Sequence, residues 1–204
     1  LSSPLKISQV GLFNGVDAAI NAVFHAYGDK SDLLLTTSPT FGYYKPCAQM
    51  QGMLTSAVPY EGEAFRFPLE TITSELVNKK PRLCLICNPN NPTGTRLPPE
   101  LILQLATLSP ETLFVIDELY EAFTGDSVLQ LIDFQNHSNI LVLRSLSKTA
   151  GLAGLRIGFA IGNYDVVDRV MRVTGPYDIN SFAVAAAFAS LADQDYINSY
   201  VSQV

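Results

Sequence analysis

Four short segments of this chain hold residues whose types and spacing could do chemistry. The first is Ser145-Leu146-Ser147-Lys148, with Arg156 eight residues further on. A lysine desolvated at the carboxyl end of a strand, near other cations, becomes a usable amine nucleophile. Two serines and an arginine beside it suit a phosphate. A solvated loop lysine is the plainer alternative. The second segment is Val115-Ile116-Asp117-Glu118-Leu119-Tyr120. An acid directly after a buried strand is costly unless a cation or hydrogen-bond donor meets it, so Asp117 is expected to have a partner. A helix N-cap would serve equally well. The third, Asn88-Pro89-Asn90-Asn91-Pro92-Thr93-Gly94, is dense in turn residues and predicts a rigid, multi-turn loop. The fourth, Asn14-Gly15-Val16-Asp17, sets a glycine turn before a helix. Unpaired N–H groups and the helix dipole make such a place attractive to anions, although any capped helix start reads the same way.

These segments need elements to hold them. Short apolar runs of β type recur at residues 33–37, 54–58, 83–87, 113–116, 140–144 and 157–161. Between them lie stretches of helical period. Residues 17–27 place Ala18, Ile20, Val23, Phe24 and Tyr27 on helical spacing, and 100–108 follow the start signal Pro98-Pro99. Residues 164–173 and 182–201 are further helix candidates. Apolar strands alternating with helices predict an α/β fold of three αβα layers, a mainly parallel sheet covered by helices on both faces. Ligands of such sheets bind outside the carboxyl ends of the strands. The first three segments follow strands in this way. A turn at Gly175-Pro176 marks the one expected boundary.

The composition agrees. The 204 residues are 48% hydrophobic and 16% charged, the profile of a chain that folds around a sizeable core. A net charge of −6 without a Lys/Arg run argues against a nucleic-acid partner. No apolar stretch approaches the roughly 18 residues of a membrane span. The opening at Leu1 carries no signal peptide and no Met, which predicts a piece of something longer. Cys47, Cys84 and Cys87 make an odd count, as expected in a reducing compartment. Cys84 and Cys87 have the spacing of a metal pair. In a strand, however, residues i and i+3 point to opposite faces, so two separate buried thiols are expected. His25 and His137 are read as ordinary helix and loop residues.

In order and spacing, Asn91-Pro92-Thr93-Gly94, Asp117-Glu118-Leu119-Tyr120 and Ser145-Leu146-Ser147-Lys148 with Arg156 resemble one family. It is the pyridoxal-5′-phosphate (PLP) dependent aminotransferases of fold type I, class I/II, with closest resemblance to the histidinol-phosphate aminotransferase branch. The resemblance runs over residues 14–180. It implies transfer of an amino group between an L-amino acid, glutamate, and a second amine/keto compound, foremost histidinol phosphate, within histidine biosynthesis. It implies that Lys148 carries the cofactor and shuttles the proton, and that Asp117 pairs with the ring nitrogen. Tyr120 and Asn91 would bond the ring's phenolate oxygen. The N–H groups of Val16 and Asp17, with Ser145, Ser147 and Arg156, would hold the phosphate, and Phe41 would stack on the ring. It further implies a cytoplasmic homodimer acting on small molecules, with no nucleic-acid or membrane partner. Residues 1–175 would form the PLP-binding large domain. Residues 176–204 would begin a long helix leading to a small domain, absent here, that grips the substrate carboxylate. Threonine-phosphate decarboxylases and aromatic aminotransferases resemble the same branch. A PLP-binding module without catalysis is the reading from another class.

Overall fold

The computed structural model describes residues 5–203, so the reading of the first four residues and of Val204 lies outside it. Seven strands are present: β1 (Val10–Phe13), β2 (Leu33–Ser38), β3 (Leu54–Pro59), β4 (Leu83–Cys87), β5 (Leu113–Asp117), β6 (Ile140–Ser145) and β7 (Gly158–Gly162). They form one sheet in the order β1-β7-β6-β5-β4-β2-β3. Strands β2 to β6 pair in parallel, while β7 runs antiparallel to both β6 and β1. Every residue of β4 and β5 is buried, which explains their unbroken apolar sequences: both faces of the sheet are covered.

The covering helices sort by face. α1 (Val16–Tyr27), α2 (Tyr44–Met50) and α5 (Tyr164–Met171) pack with Leu85, Val115 and Leu143. α3 (Leu69–Lys79) and α4 (Pro99–Leu108) pack with Ile86, Phe114, Ile116 and Val142 on the other side. The period of two along each strand feeds both layers, and the architecture is the expected three-layer αβα sheet. Cys84 falls in the second cluster and Cys87 in the first, so the two thiols face opposite sides, and all three cysteines are free. No group of three or more potential metal ligands occurs among the described residues. Among them, too, no helix is long and apolar enough to cross a membrane. His25 is exposed on α1, and His137 sits in a turn with Nδ1 3.2 Å from the Asp133 carbonyl.

The expected strands and helices are present with ends moved by a residue or two, except the last. Residues 182–201 are not one helix but α6 (Ser181–Ala192) and α7 (Gln194–Ser202). Asp193 makes the break. It leaves the helical region at φ −103°, ψ 75°, and its carboxylate accepts from Tyr196 N at the start of α7. An Asp side chain that bonds the backbone locally favours a cap over a helix interior. Three elements were not foreseen: β1, α2 and α3. β1 has four residues, one of them Gly11, and α2 is seven residues with a proline inside. α3 buries only Ile72 and Leu76, so its apolar stripe is thin. α6 backs the loop after β6: Ala183 and Ala187 pack against Leu146, Ala150 and Ile157.

Candidate active site

The carboxyl ends of β4, β5 and β6 open onto a cavity of about 240 Å³, and β1 delivers the start of α1 to its rim. Val16, Asp17, Phe41, Asn91, Asp117, Tyr120, Ser145, Ser147, Lys148 and Arg156 all line it, together with Cys87, Leu119 and Ala153. All ten residues singled out in the sequence therefore meet in one place.

Two glycines let α1 reach the cavity. Gly15 sits at φ +80°, and a Cβ there would lie 2.5 Å from Arg156 Nη2. A Cβ on Gly158 would lie 2.6 Å from both Gly15 C and Val16 N, so only glycine lets β7 pass beneath the helix start. The first-turn N–H groups of α1 have no partner within the helix, and Val16 and Asp17 of that turn line the cavity. Arg156 Nη2 donates to Asp17 Oδ2 at 2.8 Å. This pair is roughly half exposed, so it orients the guanidinium more than it stabilises the fold. Ser145 Oγ lies 2.8 Å from Ser147 Oγ and 3.0 Å from the Ile157 carbonyl, and it accepts from Ser147 N. Both hydroxyls are thus held on the rim by the β6–β7 junction.

Asp117 forms the cavity floor, 2% exposed. Its expected partner is neither a cation nor a helix start but Tyr44, whose hydroxyl donates to Oδ2 at 2.6 Å; Leu119 N–H donates to Oδ1 at 3.3 Å. Burial pushes the carboxyl up to about 6, against the pull of these two bonds. Tyr44 escaped the sequence reading. Its signal was weak: an aromatic three residues after Phe41, at the first turn of an unrecognised helix. Cys87 stands opposite Asp117 in the β4–β5 register, and burial pushes its thiol up to about 12.

The loop after β4 is braced by its own side chains. Asn88 pairs with Leu97 through both its carbonyl and its amide. Asn90 ties together Pro39, Thr40 and Thr93. That scaffold presents Asn91, whose Nδ2 donates to Tyr120 OH at 3.3 Å. Lys148 departs from expectation. It is exposed rather than desolvated, with Nζ 6.0 Å from the centre of the Tyr120 ring. It lines the cavity with its side chain open to solvent.

Behind the floor lies a charge network that the motif reading left unexplained. Glu118, with no exposed side-chain surface, accepts from Arg144 Nε (3.0 Å), Ser127 Oγ (2.7 Å) and Val128 N (2.8 Å). Arg144 also pairs with Glu121 and donates to Ser127 Oγ. Burial raises the Glu118 carboxyl, and Arg144 opposes that rise most strongly. The network clamps the ends of β5 and β6, which carry Asp117 and Ser145. Arg144→Met strands a buried carboxylate and is expected to cost about 3–5 kcal/mol in urea unfolding at neutral pH. Adding Glu118→Leu to it should restore only part of that loss, because Glu121 stays without Arg144 and the Ser127 and Val128 donors lose their acceptor. A cost below about 1 kcal/mol for the single change would show that Glu118 finds water instead.

The fold and lining define a class: an α/β sheet whose carboxyl edge gathers an amine, a buried acid and donors suited to a phosphate. The sequence pattern described as aminotransferase class I and II matches residues 4–204, and the chain belongs to that family, which is PLP-dependent. The chain is 32% identical over 196 residues to histidinol-phosphate aminotransferase 1 of Carboxydothermus hydrogenoformans, covering 96% of this chain and 55% of that protein. It is 33% identical over 203 residues to an aromatic amino acid aminotransferase of Cutibacterium acnes, covering 98% and 57%. Among solved structures, a histidinol-phosphate aminotransferase of Sinorhizobium meliloti, in complex with PLP, superposes with a TM-score of 0.87 at 26% identity, covering 95% and 53%. The chain spans about half the length of the curated relatives it matches. The lining fits PLP by its donor set. Asp117 is a buried acid whose hydrogen-bond partners carry no charge, Phe41 offers an aromatic face, and hydroxyls, an arginine and a helix start gather at the rim.

Proposed function

We infer that this chain carries the cofactor site of an aminotransferase moving an amino group from an L-amino acid, glutamate, to a second keto compound, with histidinol phosphate and imidazole acetol phosphate as the amine/keto pair. The observation that carries the reading is the convergence of ten residues from five separate segments on one cavity, exposed Lys148 at its mouth and buried Asp117 at its floor. When bound, PLP supplies an electron sink for the carbanion left at the substrate Cα. Lys148 holds the cofactor through its amine and moves the proton at Cα. Asp117 keeps its carboxylate against the ring nitrogen. Tyr120 accepts from Asn91, which leaves its own hydroxyl proton free to donate to the ring's phenolate oxygen. The N–H groups of Val16 and Asp17, with Ser145, Ser147 and Arg156, grip the phosphate, and Phe41 stacks on the ring.

The same reading takes residues 1–175 as the PLP-binding domain and 176–204 as the lead into a small domain. The working protein is then a homodimer in the cytoplasm, where three free, buried cysteines suit a reducing compartment. Similarity to an aromatic amino acid aminotransferase favours a second substrate reading, an aromatic amino acid on the same site. The experiment is to add PLP, reduce with borohydride and map the modified peptide. The label is expected on Lys148; a label elsewhere, or none, removes the reading. Products formed from histidinol phosphate, aromatic amino acids and threonine phosphate then separate the substrates.

A further inference from the structure

Tyr44 stands outside the cavity lining and touches three of its groups, Asp117, Phe41 and Cys87. Its hydroxyl donates to Asp117 Oδ2 at 2.6 Å, and its ring meets Phe41 edge-on, with centroids 5.5 Å apart and planes at 75°. It is itself 1% exposed and is fixed at the first residue of α2, whose Cys47 and Ala48 are wholly buried in the core below the sheet. The hydroxyl lies between Asp117 and the Cys87 thiol, its two side-chain hydrogen-bond partners. A bond from a neutral donor to a carboxylate favours the charged carboxylate and restricts its orientation. Tyr44 on Oδ2 and Leu119 N–H on Oδ1 at 3.3 Å hold the carboxylate from two sides, and each oxygen keeps a lone pair for a ligand.

We propose that Tyr44 is a positioning residue for the cofactor ring: its hydroxyl orients the Asp117 carboxylate toward the ring nitrogen while its ring sets the tilt of Phe41. This rests on the reading of Asp117 as the partner of that nitrogen. The contribution is selective by its chemistry. It would act on the ring nitrogen through the carboxylate, and not on the phosphate, which Val16, Asp17, Ser145, Ser147 and Arg156 would hold.

The test compares two ligands that cannot become linked to Lys148: pyridoxamine 5′-phosphate and its analogue with the ring nitrogen replaced by C–H. Their affinities are measured by equilibrium dialysis on the wild type, Tyr44→Phe, Asp117→Asn and the double variant. Phe keeps the ring packing, and thermal melting of the ligand-free chain checks that the fold is intact. The wild type is expected to prefer the nitrogen-bearing ligand. Tyr44→Phe should cut that preference about tenfold, the scale of one hydrogen bond to a charged group, with affinity for the C–H analogue little changed. In the Asp117→Asn background the same change should leave the preference where it was. Equal loss of both ligands in Tyr44→Phe, an unaltered preference, or a drop of the same size without Asp117 would each overturn the proposal. A wild type that does not distinguish the two ligands would instead overturn the underlying role of Asp117, and Tyr44's with it.

Discussion

Lys148→Ala is expected to abolish transamination, with a loss of at least about 10²–10⁴-fold, the usual contribution of a positioned proton-transfer group. The loss should lie in the chemical step and not in folding. Lys148 is exposed and packs in none of the three buried clusters, so its removal should change stability by no more than about 0.5 kcal/mol. Phosphate-end binding should also survive, because Ser145 and Ser147 are oriented by the β6–β7 junction and Arg156 by Asp17. Lys148→Arg is the sharper variant: it keeps the positive charge but offers no primary amine, so it should fail as completely as alanine. Measuring product formation and unfolding side by side checks both halves. Substantial transamination by either variant would refute the role.

Asp117→Asn should show opposite effects on stability and on ligand binding. The carboxyl titrates near 6 in the folded chain, against about 3.9 in an unfolded one. Between those values the native state binds the proton that the unfolded state has released. Stability of the ligand-free chain therefore falls as pH rises from about 4 to about 6, by a few kcal/mol at most, and stays reduced above that window. Asparagine still accepts from Tyr44 but carries no charge. The variant's ligand-free form should be more stable than the wild type at pH 7 and should lack the Asp117 share of the decline between pH 4 and 6. Its cofactor retention and rate should both be weaker, because the ring nitrogen loses its anionic partner. Urea unfolding across pH, with and without PLP, measures both. If the variant were less stable at pH 7 without cofactor, the buried carboxylate would not be the strained group the geometry makes it. If PLP were retained as well as before, Asp117 would not be the ring's partner.

Much of this was legible in the residues themselves. The apolar runs of β4 and β5 announced strands buried on both faces, and the acid, lysine and Asn/Pro loop that follow strands pointed to one sheet edge. The misses have local causes. α3 carries too thin a stripe, in Ile72 and Leu76, to stand out, and β1 is a four-residue strand weakened by Gly11. The last helix was overextended because its apolar period continues past Asp193, whose capping bond to Tyr196 N ends it. Lys148 was expected to be desolvated because the residues around it in the sequence are small and apolar. Those neighbours pack downward on α6 and leave the lysine in the open.

What the sequence by itself determined is the inventory: which residue types end each strand, where a helix begins, and which thiols cannot meet. Periodicity, turn chemistry and motif order act within a few residues, so they can be read along the chain. Tertiary structure alone decided the partners. Tyr44 meets Asp117 across 73 positions, Arg144 meets Glu118 across 26, and Arg156 meets Asp17 across 139. The ionisation of a buried acid depends on what surrounds it in space, and no local pattern encodes that.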